Sequence, residues 1–487
     1  MTRLNALDRV IAWASPAAGR QRARDRAALD VLMHYDAADL ARRTDRIRAV
    51  HGDADGVAQG ARTPLMLSAR DMLRNSATAI RAQSVIVNNV IGTGIEPRLV
   101  CDDEGVIRDF RRIKDDLETV GADHDGVNTL TGMQRLAFSA LVGDGEVLIV
   151  RPNTPGGKIR VLEIDYLDDR LQGPLGRDGS VVYDGIEYRA DGTVAAYHLF
   201  DEHPGSPILG AGIRGFQSRR VDASRVVHLY RVDRPGQRRG VTWFAPVLND
   251  IEALAGNDEA QMMRQRIAAL FAVFWRSDAS PEKAGIPTKL APGLIQQIGS
   301  DDDVQFANPP EVTGYDDFAR IHLRRIAAGL GITYEALTGD LSNVNFSSAR
   351  LGRIEMGQNV EAWQWSLAIP RLCRPLGQWI LRSWADREPN NRALWRALAR
   401  ARIDWTPPPP VIADPKTETQ VAVSRIEAGL TSRRAEIRKS GYDPDAVDRE
   451  IDADMDTRTR LSALNAPAVA AQADAGTTDQ TERTMDA

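Results

Sequence analysis

Few residues of this 487-residue chain have the types and spacing that catalysis requires. Asp301, Asp302 and Asp303 could hold a divalent metal for phosphodiester cleavage, but consecutive side chains point in different directions and a solvated turn is favoured. The segment PGGKIR at 155–160 lacks the glycine spacing and the hydroxyl of a phosphate-binding loop. The seven histidines form no HExxH pair. The sequence therefore indicates no enzyme and no cofactor.

A second polar set lies in LTGDLSNVNFSSARLGRIEMGQ, residues 337–358. Good helix formers begin at Ala349, whereas the preceding residues have no period. The short side chains that can cap a helix or bond a phosphate weakly are Asn343, Asn345, Ser347 and Ser348. Arg350 is the nearby cation, and Val344 and Phe346 are the few apolar residues. We predict a mobile polar loop that enters a helix, with Ser347 or Ser348 as its N-cap.

A third candidate is the basic turn RVDRPGQRRG at 231–240. Its arginines Arg234, Arg238 and Arg239 surround a Pro-Gly turn directly ahead of a helical pattern. Guanidinium groups form paired hydrogen bonds with carboxylates. This placement predicts salt bridges between neighbouring subunits of an assembly.

The bulk composition limits the classes of protein to consider. A net charge of −5 and a pI near 5.9 exclude the basic excess of a tight nucleic-acid binder. The two cysteines, Cys101 and Cys373, indicate neither a disulfide framework nor a cysteine metal site. No stretch approaches the roughly 20 apolar residues of a membrane span, and no signal sequence is evident. We expect a protein that does not contact a membrane.

The elements that would position these residues indicate an α+β fold. Alternating runs around Pro-Gly and Asp-Gly turns predict hairpins between residues 143 and 200. Helical spacing predicts helices at 68–90, with Ser68 as N-cap, at 247–270 and at 315–329. A further helix from Ala349 should be interrupted by Pro370.

Several blocks together resemble the lambda-type portal proteins of tailed bacteriophages. They are RNSATAIRAQSVIVNNVIGTGIEPRL at 74–99, HLYRVDRPGQRRGVTWFAPVL at 228–248, GITYEALTGDLSNVNFSSARLGRIEMGQ at 331–358 and GLTSRRAEIRKSGYDP at 429–444. The turn Asp414-Pro415-Lys416 also fits that family. Phe346 stands where the family commonly has Tyr.

The resemblance implies a portal-type subunit with a β-rich wing, paired stem helices, a small α/β clip, a tunnel loop and a helical crown. The implied segments are an Arg/Ala-rich arm at 1–62, the wing at 63–244, the first stem helix at 245–270, the clip at 271–314, the second stem helix at 315–330, the tunnel loop at 331–348, a long helix with wing or crown helices at 349–405, a helical crown region at 411–462 and a disordered tail at 463–487.

The resemblance also implies a function. It implies a dodecameric ring at one capsid vertex that passes double-stranded DNA during packaging and ejection. It also implies that this ring docks the large terminase subunit, head-tail connectors and scaffold or major capsid proteins. The expected location is the virion, after assembly in the bacterial cytoplasm. Twelve copies at −5 each carry about −60, which disfavours a tight grip on DNA.

Two other classes of protein stay open at this point. One is a metal-dependent enzyme acting on nucleic acid through Asp301, Asp302 and Asp303. The other is a capsid or tail-adaptor protein that assembles without conducting DNA.

Overall fold

The computed structural model describes residues 52–119, 121–152, 158–175, 179–206, 217–269, 273–276, 303–306, 314–342, 345–409, 415–442 and 444–464. Two compact units, Met1–Trp405 and Thr406–Ala487, divide beside the proline run. In the described ranges no helix is long and apolar enough to cross a membrane. Most of the predicted arm, most of the predicted clip, Asn343 and the tail from residue 465 lie outside these ranges.

The helices of the first unit alternate with short strands in its amino-terminal half and dominate its carboxyl-terminal half. They are α1 (Ala54–Ala58), α2 (Arg62–Asn75), α3 (Ala77–Val90), α4 (Glu104–Leu117), α5 (Leu130–Asp144), α6 (Leu248–Ala269), α7 (Tyr315–Leu330), α8 (Tyr334–Thr338), α9 (Phe346–Trp363), α10 (Arg374–Arg387) and α11 (Arg392–Arg400). A π-helical segment, Gln364–Cys373, joins α9 to α10 without a break.

The strands form small sheets. They are β1 (Glu96–Val100), β2 (Glu146–Val150), β3 (Arg160–Leu162), β4 (Gly173–Leu175), β5 (Ser180–Tyr183), β6 (Ile186–Tyr188), β7 (Val194–Phe200), β8 (Ser218–Asp222), β9 (Val226–Tyr230), β10 (Val273–Arg276), β11 (Asp303–Phe306) and β12 (Arg402–Thr406). Strands β4 to β8 form an antiparallel meander in chain order, β2 lies between β3 and β9, β10 pairs with β11, and β1 pairs with β12. This mixture of helices and antiparallel sheets confirms the α+β class.

The main core of the first unit packs helices α2, α3 and α5 against β2, β9 and the π segment. Trp243, Phe138 and Phe244 are among its largest fully buried side chains. The start of α6 and the end of α7 enter the same core through Ile251 and Ile326. These apolar contacts fix the base of the α6–α7 pair, while the rest of the pair leaves the core.

The structure corrects the predicted helix at 68–90. Helix α2 begins earlier, at Arg62, and ends at Asn75. Ser76 then takes an extended conformation and its hydroxyl accepts a hydrogen bond from the Ala79 N–H, which caps α3. Ser68 is therefore an interior residue of α2, and a second capping serine inside one apolar pattern divides it into two helices.

The structure also corrects the end of the predicted arm and the break at Pro370. Asp55, Ala58 and Arg62 are buried, so the last residues before 63 belong to the core and not to a flexible arm. Pro370 does not interrupt its helix but lies within the π segment. Wider i→i+5 turns accommodate a residue that has no N–H to donate.

From Pro415 onward, the described residues of the second unit form mainly helices. They are α12 (Pro415–Glu427), α13 (Arg433–Lys439) and α14 (Pro444–Leu464). Arg434 pairs with Asp445 at 2.7 Å, and Arg433 pairs with Asp448, so α13 is tied to the start of α14. Ser432 caps α13 through the Ala435 N–H. Helix α14 extends to Leu464, two residues past the point at which the predicted crown region ends.

Candidate functional site

Helices α6 and α7 form an antiparallel pair that is held by polar contacts on facing sides. The Tyr315 hydroxyl donates to Asp258 Oδ1 at 2.5 Å near one end. Near the other end, His322 Nδ1 lies 2.9 Å from Asp250 Oδ1 and Arg325 Nη2 lies 3.3 Å from Asp250 Oδ2. These contacts fix the direction from which the chain enters the segment after α7.

The first part of that segment, residues 331–338, is anchored rather than mobile. Helix α7 ends at Gly331, whose φ of 69° is left-handed and suits glycine. Ile332 and Leu337 are buried. The Thr333 hydroxyl caps the short helix α8, and Arg81 Nε donates to the Ala336 carbonyl at 3.1 Å. The predicted loop at 331–348 is therefore wrong for this half, because two buried side chains fix it.

The exposed part of the segment between α7 and α9 begins at Gly339. Asp340 Oδ1 accepts hydrogen bonds from the Ser342 N–H at 3.0 Å and from the Ser342 hydroxyl at 2.5 Å, which forms a tight polar turn. The Ser342 hydroxyl bond is the main cause that lowers the pKa of Asp340. Leu341 is exposed in this turn. The segment therefore presents a carboxylate and a leucine to its surroundings.

The start of α9 corrects the predicted N-cap. Asn345 is the N-cap, because its side-chain oxygen accepts a hydrogen bond from the Ser348 N–H at 2.8 Å. Phe346 is the first residue of the helix, so Ser347 and Ser348 lie in its first turn and not in a loop. Asn345, Ser347, Ser348 and Arg350 are all exposed. The structure thus collects hydroxyl, amide and guanidinium groups at one helix N-terminus, which favours anions.

Arg239 is not at the surface, in contrast to the prediction. Its side chain is 8% exposed and makes a bidentate pair with Glu146, with Nη2 to Oε1 at 2.7 Å and Nε to Oε2 at 2.9 Å. The Gly240 N–H also donates to Glu146 Oε2, at 2.9 Å. His228 Nε2 lies 2.9 Å from the same oxygen. Arg239 therefore pairs with a carboxylate of its own chain, and a role for it between subunits stays a prediction.

The same buried charge network continues to the amino-terminal helices. Arg62 bonds Asp55 Oδ1 at 2.6 Å and Asp184 Oδ2 at 3.0 Å, and Arg239 Nη1 lies 3.7 Å from Asp184 Oδ2. Asp184 has a positive φ of 48° in the turn between β5 and β6. The network thus joins α1, α2, the meander and the basic turn through alternating charges.

The electrostatics of the network depend on burial. Burial alone would raise the pKa of Glu146, but the charge of Arg239 and the hydrogen bonds from His228 and Arg239 hold that pKa below its ordinary value. Burial lowers the pKa of His228 in spite of its bond to Glu146. Burial also raises the pKa of Asp184, against the charges of Arg239 and Arg62. At neutral pH, Glu146 is ionised and His228 is a neutral donor to it.

The other two arginines of the basic turn are exposed. The Arg238 guanidinium lies over the Tyr188 ring, 4.3 Å from its centroid, and the Arg238 N–H donates to Asp55 Oδ2 at 2.9 Å. Arg234 Nη2 donates to the Gly52 carbonyl at 3.2 Å. Their side chains have contacts within the chain, and their role between subunits stays a prediction.

One group of residues has the composition of a metal site. The ligand atoms of Glu163, Asp165 and His203 lie within 4.8 Å of one another. Arg70 already bonds Asp165 Oδ2 at 2.6 Å, and the Gly205 N–H donates to His203 Nδ1 at 3.0 Å. The second bond leaves the proton of the neutral ring on Nε2, which faces Glu163 at 3.0 Å. The group is therefore an ion-pair cluster in which Arg70 and the Gly205 N–H already occupy Asp165 Oδ2 and His203 Nδ1.

Sequence reasoning missed Glu146, His228 and Asp184. A signal was present for Glu146, since it is the one charged residue in the apolar strand EVLIV. A carboxylate at a buried strand position requires a counterion. The sequence did not identify that counterion, because Arg239 is 93 residues away.

Comparisons with known proteins support the resemblance. The family model described as "Phage portal protein, lambda family" matches residues 40–364. The chain is 27% identical over 457 residues to the "Probable portal protein" of Halomonas phage phiHAP-1, with 88% of this chain and 86% of that protein covered. It is 24% identical over 286 residues to "Portal protein B" of Escherichia phage lambda, with 51% and 53% covered.

Among solved structures, the chain is similar to one from a "Virion of native gene transfer agent (GTA) particle". The identity is 13%, the TM-score is 0.48, and 85% of this chain and 99% of that chain are covered. A portal protein of the HK97 family from Corynebacterium diphtheriae is similar with 10% identity and a TM-score of 0.31, with 72% and 96% covered.

Proposed function

Because this chain belongs to the lambda family of phage portal proteins, whose model matches residues 40–364, we propose that twelve copies close into a ring that conducts double-stranded DNA at one capsid vertex. The family match is the observation that carries the proposal. A member of this family is a structural protein of the phage particle and not an enzyme. Asp301, Asp302 and Asp303 are accordingly not assigned to catalysis.

The arrangement of elements supports a division of labour within the subunit. The α6–α7 pair would be the stem, with the residues between its helices as the clip. The sheets and the helices that cover them would be the wing. The exposed residues from Gly339 to the start of α9 would be the tunnel loop, which is shorter than the sequence predicted. The helices of the second unit would be the crown.

The start of α9 has the chemistry of a weak phosphate contact. Ser347, Ser348 and Arg350 are exposed at the positive end of an 18-residue helix. Asp340 lies in the neighbouring turn, and a ring of such carboxylates opposes phosphate. Weak attraction beside repulsion allows DNA to slide, whereas a basic lining would retain it.

We extend the proposal to partners and location. The clip would bind the large terminase subunit during packaging and head-tail connectors afterwards, and the wing would contact scaffold or major capsid proteins. The assembled ring would lie in the virion, after assembly in the bacterial cytoplasm.

Mass and symmetry of the purified protein test the ring. Sedimentation should give a particle of about twelve chains, and averaged electron micrographs should show a closed ring with a central channel. A stable monomer at micromolar concentration, even when scaffold is co-expressed, would contradict the proposal. A ring that never yields DNA-filled heads would instead indicate an adaptor that does not conduct DNA.

The yield of nuclease-protected DNA in heads tests the channel segment. The variant Ser347→Asp adds a carboxylate per chain beside the proposed DNA path and should reduce that yield while rings still form. Gln420→Asp adds the same charge to an exposed position of α12 in the second unit and is the matched control. Equal yields from both variants and wild type would remove the start of α9 from the mechanism.

A further inference from the structure

Helix α9 has an apolar stripe on the side that faces away from its own core. Leu351, Ile354 and Trp365 are 69%, 52% and 53% exposed, and Trp365 is the second residue of the π segment that follows the helix. Their spacing of three and eleven residues places them on one side of a helix. Met356, on the opposite side, is buried in the main core. One side of the α9 region is thus packed and the other carries large apolar side chains without cover.

Helix α7 has a smaller surface of the same kind. Ile321 is 56% exposed, and the residues one turn away from it are Asp317 on one side and Arg324 and Arg325 on the other. Arg325 contacts Asp250 at 3.3 Å, whereas the Arg324 guanidinium lies 5.7 Å from the Tyr334 ring centroid. The α7 surface therefore has an acidic end, an apolar centre and a basic end.

The α9 stripe carries the opposite order of charges. Arg350 lies one turn before Ile354, and Glu361 lies two turns after it. When Ile354 is set against Ile321 with the helices in the same direction, Arg350 stands opposite Asp317. Glu361 then lies one turn past the positions opposite Arg324 and Arg325, within the reach of the Arg324 guanidinium on its long stem. Apolar centres and both charged ends match in this single alignment.

We propose that the α9 stripe of one copy packs on the α7 surface of a second copy of this chain. Ile321 and Ile354 are both exposed within one chain, so their pairing requires another copy. Each copy offers one surface of each kind, which is a heterologous contact of the type that closes rings. The contact rests on the proposed ring and specifies which helices build it. Complementary charges at its ends set the register.

Disulfide trapping between two different variants tests the contact directly. Ile321→Cys and Ile354→Cys are each made in full-length protein with Cys101→Ser, and the two chains carry tags of different size. Cys373 is left in place because it is fully buried. Co-assembled mixtures should give at least about tenfold more cross-linked heterodimer than either variant alone gives cross-linked homodimer. The reason is that adjacent thiols have a high effective concentration. Ala349→Cys, an exposed position on the other side of α9, replaces Ile354→Cys in the control mixture.

The outcomes separate this contact from the ring itself. Rings whose Ile321→Cys and Ile354→Cys mixture cross-links no more than the control would overturn the contact and leave the proposed function standing. A specific cross-link in particles that are not closed rings would support the contact and contradict the ring. Unassembled protein without the cross-link would contradict both.

Charge reversal gives an independent measurement. Glu361→Arg and Arg324→Glu should each raise the concentration for half-assembly by about tenfold, because each places like charges together. The double variant restores opposite charges and should assemble near the wild-type concentration. Leu341→Ser, an exposed leucine outside the stripe, should have no effect, whereas Leu351→Ser should impair assembly. A double variant that assembles no better than the single variants would contradict the proposed register.

Discussion

Arg239 of the basic turn at 231–240 and Arg350 of the polar segment at 339–350 are the same residue type in opposite environments. Arg239 of the turn is buried against Glu146, and its loss would leave a charge without a partner. Arg350 of the segment is exposed at the start of α9. The comparison shows that the surrounding elements, and not the residue type, decide whether an arginine stabilises the fold or remains available for a partner. Substitutions in the two regions should therefore affect different measurements.

The largest expected effect follows from removing the buried guanidinium. Arg239→Ala leaves Glu146 ionised in the core and should lower the free energy of unfolding by about 3–5 kcal/mol. Urea unfolding followed by tryptophan fluorescence measures it. Arg234→Ala, in the same turn but exposed, should change the free energy by less than about 0.5 kcal/mol. Similar losses from both variants would mean that the burial of Arg239 does not matter for stability.

Acid pH should act on the same network in wild-type protein. The pKa of His228 is lowered from 6.5 and that of Glu146 from 4.5, so the unfolded chain binds protons that the folded chain excludes. His228 and Glu146 each stabilise the folded chain at neutral pH. The stabilisation from His228 is lost as the pH falls below 6.5, and that from Glu146 is lost as the pH falls below 4.5. Asp184, whose pKa is raised, has the opposite sign and offsets part of the loss. Urea midpoints between pH 7 and pH 3 measure the decline, and Glu146→Gln should flatten it below pH 4.5.

A smaller effect is expected at the start of α9. Asn345→Ala removes the cap on the Ser348 N–H and should destabilise the first turn by about 1 kcal/mol. Hydrogen exchange of the amides of residues 347–349 should quicken, while the urea midpoint of the whole chain changes little. Asn345→Asp retains an acceptor and is the matched control. If Asn345→Ala leaves exchange unchanged, the cap does not hold the first turn.

The smallest effect should come from Asp340→Asn. The amide oxygen can keep the bonds from Ser342, so stability should not change, whereas the ring loses one exposed carboxylate per chain. Because exposed charges are screened, any gain in DNA-filled heads should be confined to low ionic strength. Filling measured across a salt series checks this. A change in filling that is independent of salt would exclude a direct charge effect.

Local periodicity predicted much of the fold. The helix expected at 315–329 spans Tyr315–Leu330, and the strand expected around residues 143–153 is β2. These elements are set by neighbours three, four or two residues apart, which a sequence displays directly. The start of α9 was misplaced by three residues because Asn345, Ser347 and Ser348, within four positions, are all capable caps. Which of them is used depends on the backbone of the preceding turn.

Contacts between distant residues could not be predicted in the same way. Arg239 and Glu146 are separated by 93 residues, and no local pattern distinguishes a buried arginine from the exposed Arg238 beside it. The anchoring of residues 331–338 depends on Arg81 and on the main core, both far away in sequence. The proposed DNA-channel segment at the start of α9 stays a prediction, and only its half next to α7 is anchored by these distant contacts.

The π segment that contains Pro370 has a consequence for the phase of the long helix from Phe346 to Arg387. A π-helix turns through a smaller angle per residue than an α-helix, so each π turn shifts the faces that follow it. Met356 lies on the inner face before the segment, and Trp379 and Ile380 lie on the inner face after it. A strict α-helical count across Gln364–Cys373 would assign these residues to different sides of the helix. Converting the segment to regular α-helix without changing its length would thus preserve a helix and yet rotate the buried face of α10 towards solvent.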